Sequence, residues 1–294
     1  MGRDLYDKFP AARHAFETAD AALGLGLSDI CFNGSDEVLQ LTENTQPTIL
    51  TVSLAAWAAA KDKLPPPDYV AGHSLGEYSA LVAAGAISLA DAVRTVRQRG
   101  QFMQAAVPVG VGAMAAIIGL DEAAVNEACA AAAAATGEIV SAANLNAPGQ
   151  VVIAGHAGAV EKAMAEAKSR GAKMTKLLNV SAPFHCALMK PAAEQLAPVL
   201  KNLPWNDPRF PLINNVECAI VTTKEAALDG LIRQVASPVR WEASMKKLSE
   251  LGVDTFVEIG PLKVLSGLIK RIVPGAKILN VEDEASLNAT VAAL

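Results

Sequence analysis

The 294-residue chain is poor in the residues that build disulfide frameworks and metal sites. Its four cysteines, Cys31, Cys129, Cys186 and Cys218, show neither a CxxC spacing nor a Cys/His ligand pattern, so reduced core thiols and no metal are expected. Base is not in excess either. Lys and Arg number 25 against 30 Asp and Glu, a formal charge of −5, which argues against nucleic-acid binding through a basic field. Long apolar runs are missing: the longest, 105–120, is broken by Pro108, Gly110 and Gly112 and falls short of the roughly 20 residues of a membrane span. The opening residues mix Arg3, Asp4, Asp7 and Lys8 where a secretory signal needs an apolar core, and Tyr6 stands where a myristoylation site needs Ser or Thr. A cytoplasmic protein without metal or membrane anchor is expected. What the chain does have, 52% hydrophobic and 19% charged residues, suits a folded core and argues against disorder.

Periodicity divides the chain into three stretches. Residues 11–60 read as helical, with a loop at Asn33-Gly34-Ser35 and a helix starting at Pro47. After Pro65-Pro66-Pro67, residues 68–72 read as a short buried strand that runs through a sharp turn into an apolar helix over 78–86. Ser88 and Asp91 have the spacing of a helix N-terminus, and the helix they start carries Ala92, Val96, Arg99 and Met103 on one face. From about residue 112 the spacing shortens to strand 113–118, helix 121–135, strands 139–143 and 150–154, helix 159–170 and strand 174–180. This βαββαβ order is that of a ferredoxin-like unit. Helices over 190–201, 224–235, 242–251 and 263–272 then alternate with strands over 212–216, 255–259 and 277–281, implying a mostly parallel sheet covered by helices. The expected organisation is an α/β domain of residues 1–110 and 182–294, with residues 111–181 inserted as the smaller unit.

Gly72-His73-Ser74-Leu75-Gly76 fits Gly-x-Ser-x-Gly between that strand and helix, the setting in which a nucleophilic serine sits on a strained turn. The helix starting there aims free amides and its positive dipole end at a developing oxyanion, with the Leu75 N–H as first donor; a plain glycine-rich turn is the competing reading. A serine needs a base, and there are four histidines. His14 lies beside Arg13 in a charged helix, His156 in a surface turn, and His73 points away from Ser74, so elimination leaves His185 in Phe184-His185-Cys186. Arg99 is the third informative residue, because a guanidinium on an apolar face needs an anion. That anion is either an internal carboxylate or a substrate carboxylate held bidentately in a cleft.

The chain resembles the malonyl-CoA:acyl carrier protein transacylases along essentially its whole length. The resemblance rests on Thr45-Gln46-Pro47, Gly72-His73-Ser74-Leu75-Gly76-Glu77-Tyr78-Ser79-Ala80, Arg99-Gly100 with Met103-Gln104, Gly112-Ala113-Met114, Asn146-Ala147-Pro148-Gly149-Gln150, Phe184-His185, Glu258-Ile259-Gly260-Pro261 and Lys263-Val264-Leu265. It implies a hydrolase-like parallel-sheet domain with a ferredoxin-like insert. It also implies acylation of Ser74, His185 as general base and acid, and Arg99 as the partner of the malonyl carboxylate. The His185 ring is then oriented by the backbone carbonyl of Gln234 with no triad aspartate, and no cofactor is needed beyond malonyl-CoA as substrate. Phe184, beside the base, is expected to limit the acyl α-substituent. The second partner is a transient holo acyl carrier protein, for which Lys190, Lys263, Lys270 and Arg271 are candidate contacts, and the protein is expected to be a monomer. Two departures stand out. The family's first strand and Gly-Gln-Gly turn, source of a second oxyanion donor, precede the helix that Met1-Gly2-Arg3-Asp4-Leu5 resembles, and Leu262 stands where the family has Gly-Pro-Gly. A serine esterase or thioesterase using the same Ser-His pair, and a non-catalytic carrier-binding homologue, are the competing functions.

Overall fold

The structure, a computed structural model, describes residues 1–180 and 182–294. Helices make up the first hundred residues: α1 (Arg3–Lys8), α2 (Pro10–Leu23), α3 (Leu27–Asn33), α4 (Asp36–Gln40), α5 (Thr42–Ala60), α6 (Leu75–Ala83) and α7 (Leu89–Ala105). Their ends follow local chemistry. Pro10 opens α2 and left-handed Gly24 closes it, the Ser35 hydroxyl caps α4, and Ser88 caps α7 by accepting the Asp91 N–H at 3.1 Å, as the Ser88–Asp91 spacing predicts.

Helix α5 starts five residues before the expected Pro47, which lies inside it. The Leu41 carbonyl accepts the Asn44 and Thr45 amides at 2.7 and 2.8 Å and nucleates the turn earlier. Proline there leaves the Glu43 carbonyl without its usual intrahelical donor. Packing outweighs that loss: α7 crosses so closely that a Cβ on Gly100 would lie 2.7 Å from the Thr42 carbonyl oxygen, and α5 is buried on nearly every face.

The middle of the chain forms β1 (Gly112–Ile118), α8 (Glu122–Thr136), β2 (Val140–Ala147), β3 (Gln150–His156), α9 (Ala157–Ser169) and β4 (Met174–Leu177). These strands pair in the order β2-β3-β1-β4, antiparallel throughout, with Gly112 opposite His156 and Ile118 opposite Gln150 across β1 and β3. The period of two sets the layers. Ala115, Ile117, Val151 and Ile153 face α8 and α9, while Met114, Val152 and Ala154 face the other way, onto Cys186, Phe184 and Leu188.

The remaining elements are α10 (Lys190–Lys201), β5 (Leu212–Ile213), β6 (Ile220–Val221), α11 (Lys224–Gln234), α12 (Trp241–Glu250), β7 (Thr255–Ile259), α13 (Val264–Ile272), β8 (Lys277–Val281) and α14 (Glu284–Ala293). β7 and β8 are parallel around α13, but β5 and β6 are antiparallel. The expected strand at 68–72 reduces to a single parallel bridge between Val70 and Leu212, and the strand expected at 212–216 to two residues. Among the described residues, Val70 has hydrogen-bonded neighbours on one side only, through the Pro211 carbonyl and the Ile213 amide, too few to extend a ladder. The architecture is α/β, with its parallel pairing in short pieces.

Polar contacts help to hold the four-stranded sheet to the rest. Val239 pairs with β2 through Leu145 N–H and its own N–H, both at 2.9 Å. Arg271, at the end of α13, donates to the Pro148 carbonyl at 2.7 Å and to Gln150 Oε1 at 2.5 Å. Among the described residues, no helix is long and apolar enough to cross a membrane. Leu262 has φ 70°, left-handed backbone that costs a non-glycine residue about 1–2 kcal/mol.

Candidate active site

The turn before α6 carries its own strain. Ser74 has φ 52° and ψ −107° and stands at the N-cap of the helix. The two glycines of the motif differ in what they permit. A Cβ on Gly72 would fall 1.9 Å from the Gly76 carbonyl carbon and oxygen, whereas one on Gly76 meets nothing within 4 Å. Gly72→Ala is therefore expected to abolish soluble, active protein, and Gly76→Ala to keep both; expression yield and thermal melting of the pair check this.

Asn215, which sequence reasoning did not single out, braces the turn at both ends. Its Nδ2 donates to the Gly72 carbonyl at 2.8 Å, and its Oδ1 accepts the Ser74 N–H at 2.7 Å. Its own backbone N–H donates to Glu77 Oε2 at 3.1 Å. The Leu75 amide, first of α6, has no acceptor among the described residues and points from a helix start, as an oxyanion donor must.

His185 enters from the segment after β4, itself at φ 58°. Its Nε2 lies 2.7 Å from Ser74 Oγ, and its Nδ1 donates to the Gln234 carbonyl at 3.0 Å. That donation fixes the tautomer, leaving Nε2 as the acceptor for the serine proton. The ring is 4% exposed. Burial, then the nearby Arg99 cation, push its pKa down from 6.5 to about 3. A lowered pKa extends the neutral, basic form toward acid. The His185 ring is accordingly expected to keep its base form almost unchanged from pH 8 to pH 5, where a histidine titrating at 6.5 would keep only about 3% of it; an NMR titration of the ring across that range tests it. The other histidines stand apart. His73 points away to Asn146 Oδ1 at 2.8 Å and packs against Trp241, the His156 Nδ1 accepts the Ile139 amide, and His14 is exposed on α2.

Arg99 is 2% exposed, yet it takes part in no ion pair among the described residues. Its partners are neutral: Nη1 donates to Gln46 Oε1 at 2.7 Å, and Nη2 to Ser74 Oγ and Gln234 Oε1, both at 3.0 Å. The nearest balancing charge is Glu77, reached through Gln234, whose Nε2 donates to Glu77 Oε2 at 2.9 Å and to the Ser74 carbonyl at 3.0 Å. Burial pushes the Glu77 carboxyl up to about 7, against these hydrogen bonds and Arg99. Gln234 thus touches serine, histidine, arginine and glutamate at once. Nothing local in sequence marks Gln46, Glu77 or the Gln234 side chain for this task beyond the stretches that carry the resemblance.

Phe184 packs between the main core and the cluster around Met114 and Cys186, next to His185. The basic candidates are not gathered together. Lys190 opens α10; Lys263 pairs with Glu282 at 3.3 Å; Lys270 lies exposed on α13; and Arg271 is committed to the β2–β3 turn.

Comparison with known proteins gives the family. The acyl transferase domain family matches residues 1–287. The malonyl CoA-acyl carrier protein transacylase of Bacillus subtilis (strain 168) is 49% identical over 294 residues, covering 100% of this chain and 92% of its own. That of Escherichia coli (strain K12) is 50% identical over 276 residues, 93% of this chain and 88% of its own. Among solved structures, an acyl carrier protein S-malonyltransferase from Vibrio cholerae superposes with TM-score 0.96 at 48% identity, over 99% of this chain and 94% of that one. A malonyl-transacylase in complex with a type II PKS acyl-carrier protein superposes with TM-score 0.97 at 46% identity, over 100% and 95%. By sequence along its full length and by fold, the chain belongs to the acyl transferase family, alongside the malonyl CoA-acyl carrier protein transacylases.

Proposed function

We propose that the protein transfers malonyl from malonyl-CoA to the phosphopantetheine thiol of an acyl carrier protein through a malonyl-Ser74 ester. The observation that carries this reading is the position of Ser74 Oγ, 2.7 Å from a buried histidine nitrogen and 3.0 Å from a buried, carboxylate-free guanidinium. A Ser-His pair alone serves any acyl chemistry; the unpaired Arg99 beside it selects acyl groups that bring their own carboxylate.

In the first half-reaction Ser74 Oγ attacks the thioester carbonyl while its proton passes to His185 Nε2. The oxyanion is held by the Leu75 amide, and the tetrahedral intermediate collapses with loss of CoA, whose sulfur takes the proton from His185. In the second, the carrier thiol gives its proton to His185 and attacks malonyl-Ser74; collapse expels Ser74 Oγ, which recovers the proton. The Gln234 carbonyl orients the imidazole and stabilises it when protonated, the part an aspartate plays in a triad. Phe184, next to His185, is taken to restrict the acyl α-carbon. Acyl exchange between two thiols is redox-neutral and needs no cofactor, so malonyl-CoA is a substrate only.

The same reading takes residues 1–110 and 182–294 as the hydrolase-like unit and 111–181 as the ferredoxin-like insert, whose last residue, Ser181, lies outside the described residues. It takes the protein as a cytoplasmic monomer that meets its acidic carrier transiently, through Lys190, Lys263 and Lys270; Arg271, held at the β2–β3 turn, drops from that set. Intact mass after brief mixing with malonyl-CoA tests the reading. One malonyl adduct, lost in Ser74→Ala and discharged by holo acyl carrier protein, is expected. Adduct discharged equally fast by water would make the protein a hydrolase, and no adduct on folded protein would leave only a binding role.

A further inference from the structure

The resting geometry of Ser74 carries a second consequence. The hydroxyl has one proton, given to His185 Nε2 at 2.7 Å, and it accepts a charged hydrogen bond from Arg99 Nη2 at 3.0 Å. On acylation Oγ becomes an ester oxygen, a poor acceptor. The Arg99 bond is therefore given up on the way to any acyl-enzyme. For an acyl group without a carboxylate this is a loss, since it leaves a buried cation whose remaining hydrogen bonds go to the neutral amides of Gln46 and Gln234, with the Tyr78 ring 5.6 Å from the guanidinium carbon.

We infer that Arg99 restrains Ser74 in the free enzyme, and that a carboxylate arriving beside it releases the nucleophile. The inference rests on the transferase reading above and deepens it: Arg99 acts as a release as well as a clamp. The geometry suits an exchange at one donor. Gln46 and Gln234 anchor the guanidinium through Nη1 and the other Nη2 proton, so only the Ser74 bond has to change hands. The malonyl carboxyl carbon is three bonds from Oγ once the ester forms, which brings the carboxylate to the guanidinium edge that faces Ser74. An anion there outcompetes a neutral hydroxyl for a buried cation. His185, bonded to Gln234 on its far side, stays in place to take the proton.

The test separates the two halves of the malonyl group. p-Nitrophenyl acetate supplies an acetyl group without a carboxylate, and formate supplies the carboxylate alone. The pre-steady-state burst of nitrophenolate is measured in full-length protein with increasing formate, against chloride at equal ionic strength. A saturable rise of about tenfold or more in burst rate with formate, absent with chloride, is expected, the size of one charged hydrogen bond. In Arg99→Ala the burst should already be fast without formate and insensitive to it. A Ser74-dependent burst that formate leaves unchanged or slows in the wild-type protein overturns the release while leaving the nucleophile assignment standing. No burst under either condition, in folded protein, removes both. The wild-type titration decides the matter whether or not Arg99→Ala folds.

Discussion

Ser74→Ala is expected to lower malonyl transfer by a factor on the order of 10⁵ to 10⁶, and His185→Ala by nearly as much. The double variant should be little worse than either. The reason is geometric: Ser74 Oγ and His185 Nε2 share one proton at 2.7 Å, so removing either partner removes the same step. A serine without its base is an ordinary alcohol, and an imidazole held by Gln234 without a nucleophile has nothing to deprotonate. Binding of malonyl-CoA should survive in both variants. Single-turnover transfer from labelled malonyl-CoA, with binding measured separately by calorimetry, separates these outcomes; independent, multiplicative losses would contradict the pair.

Arg99→Ala should act on selectivity more than on chemistry. With the guanidinium gone, the malonyl carboxylate enters a buried site that offers it only the amides of Gln46 and Gln234, and transfer of malonyl should fall about 10³-fold. Acetyl transfer should hold or rise, because the acetyl group never used the cation and Ser74 is freed from it. The ratio of kcat/KM for malonyl-CoA and acetyl-CoA is the measurement, and an equal loss for both substrates would remove the clamp. Arg99→Lys should recover little of the ratio. An ammonium is a point donor and cannot reach Gln46, Gln234 and a carboxylate from one planar group.

Local signals made much of this site readable before any coordinates. Gly-x-Ser-x-Gly between an apolar segment and a helix located the turn, the scarcity of histidine narrowed the base, and an arginine on an apolar face announced a need for an anion. A helix end followed the same logic at Ser88, which caps α7. What stayed hidden depends on contacts between distant segments. Asn215 sits 141 positions from Ser74 in sequence, and no periodicity flags an asparagine as a brace. Pro47 reads as a helix start by propensity, and the Leu41 carbonyl that starts α5 earlier, with the close crossing at Gly100 that offsets the proline, is not visible in that propensity. The strand at 68–72 has the right composition but gains a neighbour on one side alone, and composition says nothing about neighbours.

Asn215 also sets a chemical clock. Asparagine is a thermolabile side chain, and at this position both halves of its amide are committed, one to the Gly72 carbonyl and one to the Ser74 amide. Loss of ammonia would turn it into aspartate, which still accepts from Ser74 but sets a carboxylate oxygen against the Gly72 carbonyl. While the chain is folded, Asn215 is 1% exposed, its N–H is tied to Glu77 and its carbonyl accepts from Arg240, which holds the backbone on both sides of the side chain away from the ring closure that releases ammonia. Opening of the turn lifts that protection, so prolonged heating is expected to leave a one-dalton gain at Asn215, read by peptide mass mapping.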